Sequence, residues 1–132
     1  MAGIRLNTNH YLGAIKPVSF TLFPASGNSY AAFRIVYNPT ITGATWAAAS
    51  EGIADVLSNA GTPTISGGSV LYSGFLSTSN KNQTTFVFAQ ELLTDVALGH
   101  DLNGNADALV MEVTSSSGNF DLLFSGQYQE FR

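Results

Sequence analysis

Cysteine is absent from this chain. That excludes disulfides, thiolate nucleophiles and cysteine-based metal sites together, and it leaves the redox compartment open. Charge is scarce as well: 11% of residues are Asp, Glu, Lys or Arg, where soluble domains average about 25%. The cations Arg5, Lys16, Arg34, Lys81 and Arg132 are scattered, and the net charge is −4. Without a basic patch nothing is available to neutralise a phosphate backbone, so nucleic-acid binding is not expected. No apolar run reaches the roughly 18 residues that a membrane-spanning helix needs, and no membrane partner is expected. Residues 1–10 are polar and do not read as a signal peptide. The only histidines, His10 and His100, have no partner at metal-ligand spacing, which is a poor basis for zinc.

Neutral polar residues take the place of charge: 14 Ser, 12 Thr and 10 Asn, with 13 Gly. Nine Phe and five Tyr, within an apolar content of 45%, supply material for a core. A chain of 132 residues has the length of one domain and buries enough surface to fold without a metal or a cross-link. Monomers usually stay soluble through a mixed charged surface. A surface poor in Lys and Glu resembles the composition of subunit contacts, from which those residues are depleted. The composition therefore predicts a homo-oligomer.

Period-two alternation of apolar residues recurs from Val18 onward. Val18, Phe20 and Leu22 share one expected face; so do Phe33, Ile35 and Tyr37; Val70, Tyr72 and Leu76; Phe86 and Phe88; and Leu109, Met111 and Val113. The longest set is Phe120, Leu122, Phe124 and Tyr128, which holds its phase across Gly126. Turn signals separate these runs, among them Asn38-Pro39-Thr40, Gly67-Gly68 and the Asn-rich stretch around Gly104. Short strands at this spacing predict an all-β fold, a two-sheet antiparallel sandwich of about eight strands. One stretch is open to two readings. Ser50 could cap a short helix carrying Ile53, Val56 and Leu57, or the same residues could form an irregular strand. A second short helix is conceivable over residues 90–93.

Few residues suggest chemistry. Asp101, Asn103, Asn105, Asp107 and Glu112 fall at positions 1, 3, 5, 7 and 12 of a calcium loop. Ala106 stands where that loop requires glycine, and its flanks read as strand. An Asn/Asp-rich turn whose side chains bond their own backbone is the plainer reading, so no metal and no cofactor are expected. Glu51 and Asp55 are an acid pair of the kind a glycosidase needs, but nine scattered acids read better as surface groups or turn caps. No nucleophilic-serine motif occurs. The chain is therefore expected not to be an enzyme. Trp46, the only tryptophan, follows Gly43-Ala44-Thr45 and suits a sugar platform, an interface anchor or, more simply, packing at the rim of a sandwich. Asn82-Gln83-Thr84 matches a glycosylation acceptor, a match expected by chance without a signal peptide.

Five pieces of the chain carry a likeness to a known family. Arg34-Ile35-Val36-Tyr37-Asn38-Pro39-Thr40, then Trp46, then Gly67-Gly68-Ser69-Val70-Leu71-Tyr72-Ser73-Gly74-Phe75-Leu76-Ser77 resemble small structural proteins of tailed-phage virions. Residues 101–109 resemble that family's Asp-x-x-Gly-Asn-x-Asp-x-Leu segment, and residues 127–132 its closing strand. The chain departs from the family in lacking a closing Trp and in the alanines at 47–49. The resemblance implies a jelly-roll-like sandwich in a homotrimer on a phage particle, as a capsid decoration or cement protein or as part of a head or tail fibre. The partners would then be other virion proteins such as the major capsid protein, and the location the virion, assembled in the host cytoplasm. Residues 1–12 are expected to form an N-terminal arm and residues 13–132 the sandwich. Arg5, Leu6, Tyr11, Leu12 and Trp46 are the expected contacts. The alternative function is a carbohydrate- or host-receptor-binding module on the same sandwich, with Trp46, Tyr30 and Tyr72 as its aromatics.

Overall fold

The structure, a computed structural model, describes residues 1–7, 13–24, 30–49, 52–58, 63–77, 84–87, 97–115 and 122–131. Among the described residues eleven strands follow one another: β1 (Ala2–Leu6), β2 (Ala14–Pro24), β3 (Tyr30–Tyr37), β4 (Thr40–Thr42), β5 (Thr45–Ala48), β6 (Ala54–Ser58), β7 (Thr64–Ser66), β8 (Ser69–Ser77), β9 (Thr84–Val87), β10 (Ala108–Ser115) and β11 (Leu122–Phe131). They form a six-stranded sheet in the order β5-β6-β1-β10-β3-β8, a three-stranded sheet β11-β2-β9, and a small pair β4-β7. Every pairing is antiparallel. One apolar cluster joins the two larger sheets. Ile4, Leu6, Phe33, Ile35, Leu109 and Met111 come from the first, and Ile15, Phe20 and Leu22 from the second. The expected all-β sandwich is present, with more strands than the alternation predicts and an uneven division between its layers.

On β3 and β10 alternation is unbroken and the expected face is the core face, whereas on β11 Phe124 of the expected face is exposed. Phe33 and Ile35 on β3 and Leu109 and Met111 on β10 are all buried. Two expected faces are broken by an extra residue. The register of β11 on β2 passes from Gln127↔Ser19 to Tyr128↔Pro17, leaving Val18 as the inserted residue. A bulge of this kind changes the parity of a strand. Ile15 and Pro17 therefore share the core with Phe20 and Leu22, and Val18 does not belong to that set. On β8 the pairing passes from Ile35↔Tyr72 to Val36↔Val70. Leu71 is inserted, and Val70 turns out to solvent while Leu76 stays buried. The stretch open to two readings is strand over β6, with Ala54 in it and Ile53 just before it both buried. Ser50, Phe88, Phe120 and residues 90–93 lie outside the described residues.

The expected arm is the largest correction. Residues 2–6 form a strand with neighbours on both sides, Ile4 pairing with Leu109 of β10 and with Val56 of β6. Arms form where a segment has too little apolar surface to hold itself; here Ile4 and Leu6 are both buried in the common core. Residues 8–12 lie outside the described residues.

Three of the turn signals meet at one corner. Asn38, at the end of β3, has a left-handed backbone (φ 50°), which costs a non-glycine residue about 1–2 kcal/mol. Its side chain offsets this on two sides. Nδ2 donates to Asp107 Oδ1 at 2.7 Å, and Oδ1 accepts from the Ala108 amide at 2.7 Å. Its own amide donates to the Ala108 carbonyl at 2.8 Å. Gly68 closes the corner at φ +77°, where an added Cβ would lie 2.7 Å from the Tyr37 carbonyl oxygen and 2.8 Å from the Pro39 nitrogen. Both obstacles are backbone, so they yield little. Asn38→Ala should cost about 2–3 kcal/mol, combining retained strain with lost hydrogen bonds. Asn38→Gly relieves the strain and should cost less. Gly68→Ala should cost at least about 2 kcal/mol, since positive φ and overlap act together. Urea midpoints in the order wild type, Asn38→Gly, then Asn38→Ala check the assignment; an alanine variant equal to the glycine variant would remove the strain.

Candidate functional site

Arg5 and Trp46, two of the expected contact residues, lie side by side on the face of the six-stranded sheet away from the core. The register explains it: Arg5 pairs with Asp55 across β1 and β6, and Ala48 pairs with Asp55 across β5 and β6. Trp46 lies two residues from Ala48 on the same face. The Arg5 guanidinium carbon sits 4.5 Å from the centroid of the Trp46 ring, a cation–π distance. Nε and Nη2 of Arg5 both donate to Asp55 Oδ2 at 3.1 Å, and Asn7 Nδ2 donates to Oδ1 at 2.8 Å. Asp55 is only 6% exposed, and its two oxygens are held by a charge-assisted pair and an amide. Leu6, on the opposite face, is 0% exposed and packs in the core, so it is no surface contact. Tyr11 and Leu12 lie outside the described residues.

The sequence alone offers Asp55 only as half of an acid pair with Glu51, which lies outside the described residues. Its role as the buried partner of Arg5 is not legible in the sequence, because 50 residues separate them and only the pairing of β1 with β6 brings them together. The arrangement also bears on Trp46 as a sugar platform: one face of the indole is already occupied by the guanidinium.

The calcium-like loop is held together by its own donors. Asp101 Oδ1 accepts from the amides of Asn103 and Asn105, and Oδ2 from Asn105 Nδ2, each at 2.8 Å. The Asp101 amide donates to the Asn105 carbonyl at 2.9 Å, and the Gly104 amide to the Asp101 carbonyl at 3.0 Å. Asp107 accepts from Asn38 and, at 3.2 Å, from the Gly99 amide. Glu112, facing Arg34 across β10 and β3, is in an ion pair with it. The three carboxylates thus serve three separate sets of protein donors, and the described residues contain no group of three or more His, Cys, Asp or Glu placed to hold a metal.

The Asn105 side chain and amide, with the Asn103 amide, hold the Asp101 carboxyl below its ordinary value of 3.8. A depressed folded-state pKa contributes stability above the unfolded value and loses it as pH falls through the folded one. The Asn103 and Asn105 amide resonances should therefore move together in an acid titration, with a midpoint below 3.8. Unlinked or unperturbed titration would mean the loop is not organised on Asp101. The Tyr37 hydroxyl is pushed above 10.0, first by burial and then by the Asp107 carboxylate beside it. Phenolate formation thus disfavours the same corner only in strong alkali.

Apolar exposure is concentrated on long strands. Phe75 and Val70 on β8 and Tyr30 on β3 are exposed, as are Leu123, Phe124 and Phe131 on β11. Beside the first group runs an open groove of about 470 Å³, lined by Arg34, Ser73, Phe75, Glu112 and Thr114 among others. An apolar cleft of about 100 Å³ opens between the two larger sheets at Ile4, Pro17, Phe20, Val56, Phe124 and Tyr128. No family model matches this chain, and no curated protein or solved structure matches it.

Proposed function

We propose that this chain is a non-enzymatic structural protein that works through its surfaces, as a component of a tailed-phage virion. The observation that carries this reading is the set of six large apolar side chains exposed along β3, β8 and β11, on a chain with only 11% charged residues. Exposed apolar groups grouped in this way mark contact surfaces. The particular form, a jelly-roll-like homotrimer that decorates or cements the capsid or builds a head or tail fibre, comes from the likeness of the Asn-Pro-Thr, Gly-Gly and Asp101–Leu109 segments to such proteins. On this reading the partners are copies of the chain and the major capsid protein or another virion protein. Quantitative mass spectrometry of purified particles should find the chain at a fixed ratio to the major capsid protein. Its absence from particles, or a monomeric mass by light scattering at every concentration, would count against the reading.

A second reading has one observation in its favour. The groove beside Tyr30 and Phe75 combines exposed aromatic rings with Arg34, Glu112 and Ser73, the mixture a sugar-binding site uses. A glycan array separates the readings: selective binding abolished by Phe75→Ala supports a carbohydrate- or receptor-binding module, and a blank array supports the structural role.

A further inference from the structure

Strand β8 is one edge of the six-stranded sheet, and its partner among the described residues is β3 alone. Ser69–Ser77 is nine residues long and contains no charge and no proline. Such an edge is a template for another strand, and proteins that keep an edge free guard it with charge, proline or brevity. The opposite edge is guarded: β5 has four residues, and Arg5 covers its Trp46. Beside the unguarded edge stand Phe75 and Tyr30, 75% and 56% exposed, their rings 6.0 Å apart and edge to face.

We propose that β8 pairs antiparallel with β8 of a second copy of this chain, about a two-fold axis at Ser73, joining two six-stranded sheets into one. An isologous contact must be self-complementary, and the strand is nearly palindromic in residue type about Ser73. Ser69 falls opposite Ser77, Val70 opposite Leu76, Leu71 opposite Phe75, and Tyr72 opposite Gly74. Because Leu71 is a bulge residue in the β3 pairing, strict register is needed only over residues 72–74. No like charges meet across the axis. Among the described residues, Arg34, which pairs with Ser73 across β3 and β8, is in an ion pair with Glu112 within each copy.

Two rings of about 200 Å² each, at their exposures, offer roughly 260 Å² of aromatic surface per copy. Val70, Leu71 and the strand edge bring this to on the order of 500 Å², against about 800 Å² for a standard interface. The dimer therefore belongs among dissociable ones, and its population rises with concentration. The inference does not rest on the virion reading, and a two-fold contact by itself does not close a trimer.

Because the chain has no cysteine, Ser73→Cys is a clean reporter. Under mild oxidation it should give a covalent dimer. Leu102→Cys, at a fully exposed loop position, should cross-link far more slowly at the same concentration. Sedimentation equilibrium of the wild type should show a concentration-dependent doubling in mass of the smallest species present. Ser73→Lys, which sets two like charges face to face, should weaken this pairing at least about tenfold with an unchanged thermal transition. A wild type that remains monomeric to millimolar concentration, a trimer or dimer indifferent to Ser73→Lys, or a Ser73→Cys chain that cross-links no faster than Leu102→Cys would each overturn the proposal.

Discussion

A chain shortened by residues 1–7 is expected to lose its cooperative thermal transition. The segment lies between β10 and β6, so its removal opens two ladders and leaves β5 and β6 as a hairpin with no neighbour in the sheet. Ile4 and Leu6 leave the core with it, at about 1.5–3 kcal/mol each. Arg5 and Asn7 leave Asp55 without the donors that hold both of its oxygens, and an uncompensated buried charge costs a further 3–5 kcal/mol or so. The combined loss is comparable to the whole stability of an ordinary domain, about 5–15 kcal/mol. Far-UV circular dichroism through a thermal ramp decides the matter. A truncated chain that melts cooperatively near the full-length temperature would restore the expected arm and take β1 out of the sheet.

That contrast shows what was legible in the sequence. Phe33, Ile35, Leu109 and Met111 announced their strands because unbroken alternation needs nothing beyond the local chain. Residues 2–6, Ala-Gly-Ile-Arg-Leu, have only two large apolar side chains and no period. Their place inside a sheet is set by β6 and β10, about 50 and 105 residues away in the chain. The faces misassigned at Val18 and Val70 share one cause. A bulge changes which parity points inward, and neither inserted residue is a Gly, Asn or Asp that would mark the site. The turns at Asn38, Gly67-Gly68 and Asp107 were each readable as turns. Their meeting at one corner was not, since it depends on the pairing of β3 with β8 and β10. For the candidate site, the sequence offers Arg5 and Trp46 as contacts with a partner, and the structure joins Arg5 to both Trp46 and Asp55.

Arg5→Ala should destabilise the fold by about 3–5 kcal/mol, a cost that follows from what it leaves behind. Asp55, at 6% exposure, would be left with Asn7 as the remaining donor to its carboxylate among the contacts described above, and the Trp46 ring would lose the guanidinium 4.5 Å above it. An exposed pair would be worth no more than about 1 kcal/mol and would weaken in salt. This one should be nearly insensitive to ionic strength, since one partner is buried. Replacing both charges by apolar residues of similar volume, Arg5→Met with Asp55→Leu, should recover most of the loss, because no buried charge then lacks a partner. Urea unfolding of the single and double variants measures this directly. If Arg5 were instead an anchor for another protein, its alanine variant would keep the wild-type midpoint and change only association. The two outcomes are opposite, and the geometry around Asp55 predicts the loss of stability.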